Sequence, residues 1–217
     1  MKAALIALLI QISIAMVGEV ESAPKAIDTV GIVRSEKFTP PAQQRGKSGY
    51  INLVHQRQEK NLCVPTSASM VLHHFGKPTS PRELKSLTRQ KVYNPADEFR
   101  DFTITFFDDL IAGVSSLGFK WRIQSYTTDP KGASTGLSDI KKSIDEGNPV
   151  LIDTSLYRSH TFVVSGYDDA AEFLIVIDPN IPAPGIRLIS YQIIEQIWDS
   201  RSVGFNNRAA IFTSPKS

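Results

Sequence analysis

Residues 63–76 read CVPTSASMVLHHFG, and the apolar side chains of this stretch recur at the spacing of one face of an α-helix. Pro65 fits the first turn of such a helix, where a missing backbone N–H breaks no hydrogen bond. Gly76 fits the residue after the helix, where a left-handed backbone commonly ends it. The pattern therefore predicts a helix that begins at or just after Cys63, the single cysteine of the chain.

The rest of the chain separates helices in the first half from strands in the second. Further helices are predicted from Ser80, where Ser80-Pro81-Arg82-Glu83 forms a capping box, and at 104–117, 137–146 and 191–198. Short β-branched or aromatic runs predict strands at 150–152, 161–167, 173–177, 186–189 and 209–212. Helices followed by strands indicate an α+β domain with an antiparallel sheet.

Composition and charge are those of an ordinary globular protein. The 217 residues are 41% hydrophobic, and 24 Lys and Arg against 22 Asp and Glu give a net charge of +2 without basic runs. A nucleic-acid partner is therefore not expected. One cysteine excludes an intramolecular disulfide, and one Cys with four His argues against a closed zinc site. We expect neither a metal nor another cofactor.

The N-terminal residues have the pattern of an export signal. Lys2 precedes an apolar stretch and then a polar shift, so residues 1–22 are predicted to be a signal peptide of a secreted or periplasmic protein. The stretch is shorter than the roughly 20 residues of a membrane-spanning helix, and no stable membrane span is expected. Residues 23–50 are interpreted as a polar arm or short leader that could cover a cleft as a pro-segment. Residues 51–217 are interpreted as one globular domain.

Four residues are candidates for chemistry: Gln58, Cys63, His160 and Asp178. A thiol attacks a carbonyl as the thiolate, and a helix N-terminus together with a neighbouring imidazolium favours that form. The resulting oxyanion needs fixed donors, which the Cys63 backbone N–H and a side-chain amide such as that of Gln58 can supply. Gln56 is a competing candidate for that amide.

The other histidines are poorer candidates for the base. His73 and His74 lie about 15 Å along the helix axis from Cys63 at 1.5 Å per residue. They are better placed to complement the dipole at the helix C-terminus. His55 lies in an irregular stretch before the helix.

Residues 160–178 read HTFVVSGYDDAAEFLIVID, which predicts a hairpin of two strands and a turn. If the connection has an odd number of residues centred on Asp169, Asp178 lies directly across from His160 and can orient its ring. If the number is even, Asp178 pairs with Thr161 and points to the opposite face unless a β-bulge intervenes. Both registers are compatible with the sequence.

Three stretches together carry a resemblance to a known family. QEKNLCVPTSASMVL at 58–72, HTFVVSGYD at 160–168 and the Asp-Pro pair at 178–179 resemble papain-like cysteine peptidases of the bacteriocin-processing, double-glycine leader peptidase type. The similarity covers about residues 50–180. It implies a papain-like α+β fold with a helical half packed on an antiparallel sheet.

The resemblance also implies a role for each candidate residue. Cys63 corresponds to the nucleophile, His160 to the general base, Asp178 to the residue that orients the base, and Gln58 to the oxyanion hole. The implied function is a cysteine peptidase-like hydrolase that cleaves peptide or amide bonds of a peptide or protein substrate through an acyl-thioester. An acyltransferase using the same intermediate, or a non-catalytic binding module with the same fold, is the alternative.

Overall fold

The computed structural model describes residues 32–34, 38–92 and 104–216. Within them the chain forms five α-helices and eight β-strands. The helices are α1 (Cys63–His74), α2 (Pro81–Val92), α3 (Phe107–Ser116), α4 (Pro130–Asp145) and α5 (Tyr191–Ile197). The strands are β1 (Ile32–Arg34), β2 (Ser48–Tyr50), β3 (Arg122–Tyr126), β4 (Val150–Thr154), β5 (His160–Asp168), β6 (Phe173–Ile177), β7 (Ile186–Ser190) and β8 (Arg208–Phe212).

The eight strands form one antiparallel sheet. Its order is β1-β7-β6-β5-β4-β8-β3, and β2 pairs with β5 outside that path. One cluster of buried apolar side chains from all five helices and from β3 to β8 forms the core. Helix α1 packs on β5, where Ser67 Oγ donates to the Thr161 carbonyl at 3.1 Å. The predicted α+β fold with an antiparallel sheet is confirmed.

Helix α1 confirms the prediction made from residues 63–76. Cys63 is its first residue, Pro65 lies in its first turn, and Gly76 follows it with a φ of 75°. Residues 64–72 are all buried, so the helix is covered on every side in its central turns. The buried helix fixes the direction in which its N-terminal end points, and Cys63 is at that end.

Helix α4 begins seven residues before the predicted segment at 137. Asp129 caps it by accepting a hydrogen bond from the Gly132 N–H at 2.7 Å, and Pro130 occupies the first turn. Gly132 and Gly136 obscure the apolar period, because glycine is a poor helix former. The structure needs them: a Cβ at Gly136 would lie 2.6 Å from the Trp198 ring.

Three strands have no counterpart among the predicted ones. In β3 one residue of five is buried, which removes the alternation that marks a strand in a sequence. Strands β1 and β2 lie inside the segment that we interpret as a polar arm; β1 pairs with β7 and β2 pairs with β5. Short edge strands pair through backbone groups, so they need no apolar period. Residues 1–22, the predicted signal peptide, lie outside the described residues.

The β5–β6 hairpin has the even-numbered connection, residues 169–172, centred one residue later than the even alternative we considered. Asp168 pairs with Phe173 next to the turn, and the register shifts at a β-bulge between Val164 and Gly166. Beyond the bulge Val163 pairs with Ile177.

The bulge places the Asp178 side chain on the same face of the sheet as His160. Continuing the pairing of Val163 with Ile177 places Asp178 opposite Phe162, two residues from His160 and therefore on the same face. Without the bulge the partner would be Val163, and Asp178 would point to the other face. The two side chains meet as diagonal neighbours rather than as a directly opposed pair.

Candidate active site

Cys63 combines a partly accessible thiol with the free end of a buried helix. The residue is half-buried and is the first of α1. Backbone N–H groups in the first helical turn have no partner inside the helix. The first turn of α1 also contains no acidic side chain that would compete for those donors. This end of α1 can therefore donate hydrogen bonds to an anion formed next to the sulfur.

His160 lies between a carboxylate and the thiol. It is the first residue of β5 and is 2% exposed. Its Nε2 lies 2.6 Å from Asp178 Oδ1, and the Cys63 side chain is near enough to the ring to raise the pKa of His160. Because Nε2 faces Asp178, Nδ1 is the nitrogen available to Cys63. The structure thus brings the predicted Cys, His and Asp together.

Asp178 is fully buried and has partners on both oxygens. Besides His160, its Oδ1 accepts the Asn180 backbone N–H at 2.7 Å, and its Oδ2 accepts Arg187 Nε at 2.6 Å. Burial alone would raise the pKa of this carboxyl, but the hydrogen bonds and the charge of His160, together with Arg187, lower it to about 2. Asp178 is therefore a carboxylate over the whole physiological pH range.

The surroundings of His160 favour its charged form. Burial opposes an imidazolium, yet the hydrogen bond to Asp178 and the electrostatic interactions with Asp178 and Cys63 outweigh it and raise the pKa of His160 to about 9. At neutral pH the ring is consequently a cation next to the sulfur. A protonated His160 can later deliver that proton to a leaving group.

The two glutamines before α1 differ in what their side chains contact. Gln56 Oε1 accepts the Ser69 hydroxyl at 2.9 Å and so ties the preceding segment to α1. Gln58 Oε1 is buried and has no hydrogen-bond partner within the described part of the chain. The Gln58 backbone N–H donates to the Pro179 carbonyl at 2.9 Å, which joins this segment to the residue after Asp178.

The remaining histidines occupy structural positions. His73 and His74 are exposed at the C-terminal end of α1, as expected from their distance along the helix. His55 Nε2 lies 3.1 Å from the Asp178 carbonyl oxygen, and its ring packs against Gly185. His55 therefore contacts the Asp178 backbone and the loop that follows it.

Arg187 and Tyr157 were not found from the sequence. Arg187 Nη2 donates to the Tyr157 hydroxyl at 2.6 Å, and the Tyr157 ring meets the His160 ring edge-on with centroids 5.7 Å apart. A signal for Arg187 exists, since it is the one charged residue in the apolar run at 186–189. Nothing in the local sequence distinguishes Tyr157, because its position depends on a turn between β4 and β5.

A cavity of about 390 Å³ opens beside the thiol, and Cys63 itself lines it. A larger cavity of about 760 Å³ lies between α4, α5 and the β5–β6 turn and includes none of the four candidate residues. There Lys141 pairs with Asp169 at 2.6 Å. The smaller cavity is the one that can hold a molecule reacting with Cys63.

Two kinds of feature are absent from the part of the chain that the structure describes. No group of three or more His, Cys, Asp or Glu within residues 32–34, 38–92 and 104–216 is arranged to hold a metal ion. In the same residues no helix has the length and apolar character needed to cross a membrane.

Two solved structures share this fold. A C39-like peptidase from Bacillus anthracis aligns with a TM-score of 0.56 and 17% identity over 79% of this chain and 100% of its own. A double glycine motif protease from an AMS/PCAT transporter, solved in complex with the leader peptide, aligns with a TM-score of 0.51 and 14% identity over 77% and 94%. The fold is therefore that of papain-like C39 peptidases, as predicted.

Fold and sequence together define a cysteine peptidase-like protein. Residues 50–202 match the Peptidase_C39 like family, and the chain belongs to that family. No curated protein sequence matches it. Membership of this family supports a peptidase-like hydrolase.

Proposed function

We propose that this chain is an exported cysteine hydrolase that cleaves peptide or amide bonds with Cys63 as nucleophile, His160 as acid and base, and Asp178 as the residue that orients His160. The observation that carries the proposal is the 2.6 Å contact of His160 Nε2 with the Asp178 carboxylate, with the Cys63 side chain near enough to the same ring to affect its pKa. Such an arrangement is what an activated thiol nucleophile requires.

In the first half of the reaction, the Cys63 thiolate attacks the carbonyl carbon and a C–S bond forms. The carbonyl oxygen becomes an oxyanion, for which the Cys63 backbone N–H and the Gln58 side-chain amide are the proposed donors. The C–N bond then breaks, and the proton on His160 goes to the leaving amine. The product that stays bound is an acyl-thioester on Cys63.

In the second half, His160 is neutral and takes a proton from a water molecule that attacks the thioester carbon. The C–S bond breaks, the carboxylic acid leaves, and the proton returns the Cys63–His160 pair to its starting state. Asp178 keeps its charge throughout and holds the ring through Nε2. Because it orients rather than reacts, its loss should be less severe than the loss of Cys63 or His160.

A peptide substrate is proposed from two observations. The double glycine motif protease with this fold was solved with a leader peptide bound. The cavity beside Cys63 is open to one side, as the cleft of an enzyme acting on an extended chain must be. Cleavage after a glycine pair is not part of the proposal, since we predict that this chain carries its own export signal.

Alkylation of Cys63 by iodoacetamide tests the proposed ion pair between the Cys63 thiolate and the His160 imidazolium. Wild type should react rapidly at about pH 6, where an ordinary thiol with a pKa near 8.5 is almost entirely protonated. His160→Ala should react at least about tenfold more slowly at that pH and equally fast at about pH 10, where any thiol is ionised. If wild type and His160→Ala react at the same rate as each other at about pH 6 as well as at about pH 10, the result would contradict the mechanism.

Incubation with a peptide library separates the enzyme classes. Cleaved peptides in wild type and none in Cys63→Ala support a hydrolase. Transfer of the acyl group to an added primary amine instead of water would identify an acyltransferase. Reaction with neither acceptor, combined with an ordinary thiol, would identify a binding module.

Export is tested by the mass of the mature protein. We expect the protein recovered outside the cytoplasm to begin near Ala23, after removal of residues 1–22. A soluble exported protein whose intact mass includes those residues would contradict the signal peptide.

A further inference from the structure

The cavity beside Cys63 has an apolar wall and no charged lining. Val64, Val203, Ile104 and Tyr157 contribute to its wall, and its remaining lining side chains are a hydroxyl or an amide apart from Cys63 itself. No Asp, Glu, Lys, Arg or His belongs to the lining within the described residues. A volume of about 390 Å³ is within the range of sites that hold a bound group.

Two large apolar side chains at this cavity face solvent. Ile104 is 44% exposed and Tyr157 is 58% exposed. Of the described residues only Val54, at 63%, joins them as an exposed large apolar side chain, and it does not line the cavity. Covering Ile104 and Tyr157 removes apolar area from water, which favours an apolar ligand group.

Both walls are held in place before any ligand arrives. Lys85 donates to the Ile104 carbonyl and to the Thr105 hydroxyl, the latter at 2.8 Å. Tyr157 has a left-handed backbone with a φ of 53°, which is uncommon for a residue with a side chain, and Arg187 Nη2 donates to its hydroxyl at 2.6 Å. The cavity is therefore preformed.

One buried acid contacts the cavity lining but does not belong to it. Ser202 lines the cavity, and its hydroxyl donates to Asp153, whose side chain is fully buried. Thr161 Oγ1 donates to the other carboxylate oxygen of Asp153 at 2.8 Å. The cavity thus presents a hydroxyl where a basic side chain would need a carboxylate.

We propose that this cavity is a substrate subsite for a bulky apolar side chain, such as that of Leu, Ile, Met or Phe, carried by a residue at or beside the scissile bond. The inference rests on the proposed function, because Cys63 lines the same cavity and its reaction brings the substrate there. A glycine at that position would leave the cavity empty. The subsite thus gives the enzyme a preference for an apolar residue next to the cleaved bond.

A pair of electrophiles tests the subsite without a known substrate. Chloroacetamide and N-benzylchloroacetamide carry the same reacting carbon, and the ratio of their rates with free cysteine gives the intrinsic difference. We expect the benzyl reagent to be favoured by about tenfold more at Cys63 than at free cysteine, because burial of the ring contributes roughly 25 cal/mol per Å². Ile104→Asp should remove most of this preference.

Val54→Asp is the matched control for Ile104→Asp. It adds the same charge at an exposed apolar residue outside the cavity and should leave the preference unchanged. Thermal denaturation of both variants checks that they fold. An unchanged preference in Ile104→Asp, or a loss of equal size in both variants, would overturn the subsite.

The same experiment distinguishes the two proposals. Rapid reaction of Cys63 with chloroacetamide at about pH 6, without a benzyl preference, would keep the peptidase and overturn the subsite. Slow reaction with both reagents would overturn the peptidase, while the benzyl ratio would still decide the subsite. In a peptide library, cleavage sites flanked by apolar residues support the subsite, and sites flanked by glycine alone would overturn it.

Discussion

Arg187 determines how firmly the Asp178 carboxylate is held. It donates Nε to Asp178 Oδ2, and this hydrogen bond is one cause of the low pKa of Asp178. Arg187→Gln should raise that pKa and leave a buried oxygen without its charged partner. A hydrogen bond to a charged group contributes about 1.5–3 kcal/mol, so turnover should fall by roughly tenfold or more. When the rate of Cys63 alkylation is plotted against pH, the acid limb, where the rate falls off at low pH, should move to higher pH.

Tyr157→Phe is the control for this prediction. It removes the other acceptor of the Arg187 guanidinium but keeps the contact with Asp178 and the aromatic ring. The acid limb should stay where it is in wild type. If both variants move it equally, Arg187 acts through Tyr157 rather than through Asp178.

The two glutamines allow a second matched comparison. Gln58→Ala removes the proposed oxyanion donor and should lower kcat by about 100-fold or more with little change in KM or in melting temperature. Gln56→Ala breaks the bond with Ser69 and should lower the melting temperature while kcat stays near wild type. We therefore expect a lower kcat in Gln58→Ala and a lower melting temperature in Gln56→Ala. A lower kcat in Gln56→Ala, with kcat near wild type in Gln58→Ala, would assign the oxyanion hole to Gln56.

Among the structural elements, the loop between β6 and β7 holds the Asp178 backbone in position. The Asp178 N–H donates to the Gly185 carbonyl at 2.7 Å, and the His55 ring packs against Gly185. Gly185 has a φ of 75°, and a Cβ there would lie 2.0 Å from His55 Cδ2. Gly185→Ala should therefore displace this loop, lowering both the melting temperature and turnover.

Gly147→Ala provides the comparison for that loop. Gly147 follows α4 with a φ of 81°, but a Cβ there would meet nothing within 4 Å. Its substitution should cost only the left-handed backbone penalty of about 1–2 kcal/mol and leave turnover intact. Equal effects of the two substitutions on turnover would show that the contact with His55 does not support Asp178.

For the whole molecule, the ion pair between His160 and Asp178 makes the free energy of unfolding depend on pH. The pKa of His160 in the folded protein is about 9, above its ordinary 6.5, so its contribution is complete below 6.5 and is lost as pH rises through 9. The pKa of Asp178 is about 2, below its ordinary 3.8, so its contribution is present above 3.8 and is lost as pH falls through 2.

Urea denaturation of wild type and His160→Ala checks this dependence. The difference in their free energies of unfolding should be largest between about pH 4 and 6.5 and should shrink by about pH 9. The subtraction removes the effects of other titrating groups that the variants share. If the difference in the free energy of unfolding is the same at about pH 9 as at about pH 4 to 6.5, the result would contradict a charged His160.

The two N-terminal strands predict unequal effects of truncation. A chain that begins at residue 38 loses β1, which pairs at the sheet edge with β7. A chain that begins at residue 51 also loses β2, which pairs with the central strand β5, and the bond from the Gly46 N–H to Asp145. We expect the second truncation to lower the melting temperature by at least about 5 °C more than the first. Equal melting temperatures would show that β2 contributes no stability.

Local patterns identified most of the fold and the candidate residues. The apolar period of 63–76 placed Cys63 at a helix start, and five apolar runs marked β4 to β8. These elements contribute most of the buried core side chains, and burial is what imposes an apolar period on a sequence. Strands β1, β2 and β3 lie at edges or are exposed, so their side chains carry no such period.

Residue types and short-range spacing were enough to predict the helix that begins at Cys63, the order of most helices and strands, and the Cys, His, Asp and Gln candidates. The shared face of His160 and Asp178 could not be predicted in this way, since it follows from a β-bulge between Val164 and Gly166. The tertiary structure also brought Arg187 to Asp178 from the next strand. Register and contacts between strands depend on how distant backbone segments pair, and a one-residue shift reverses every side chain.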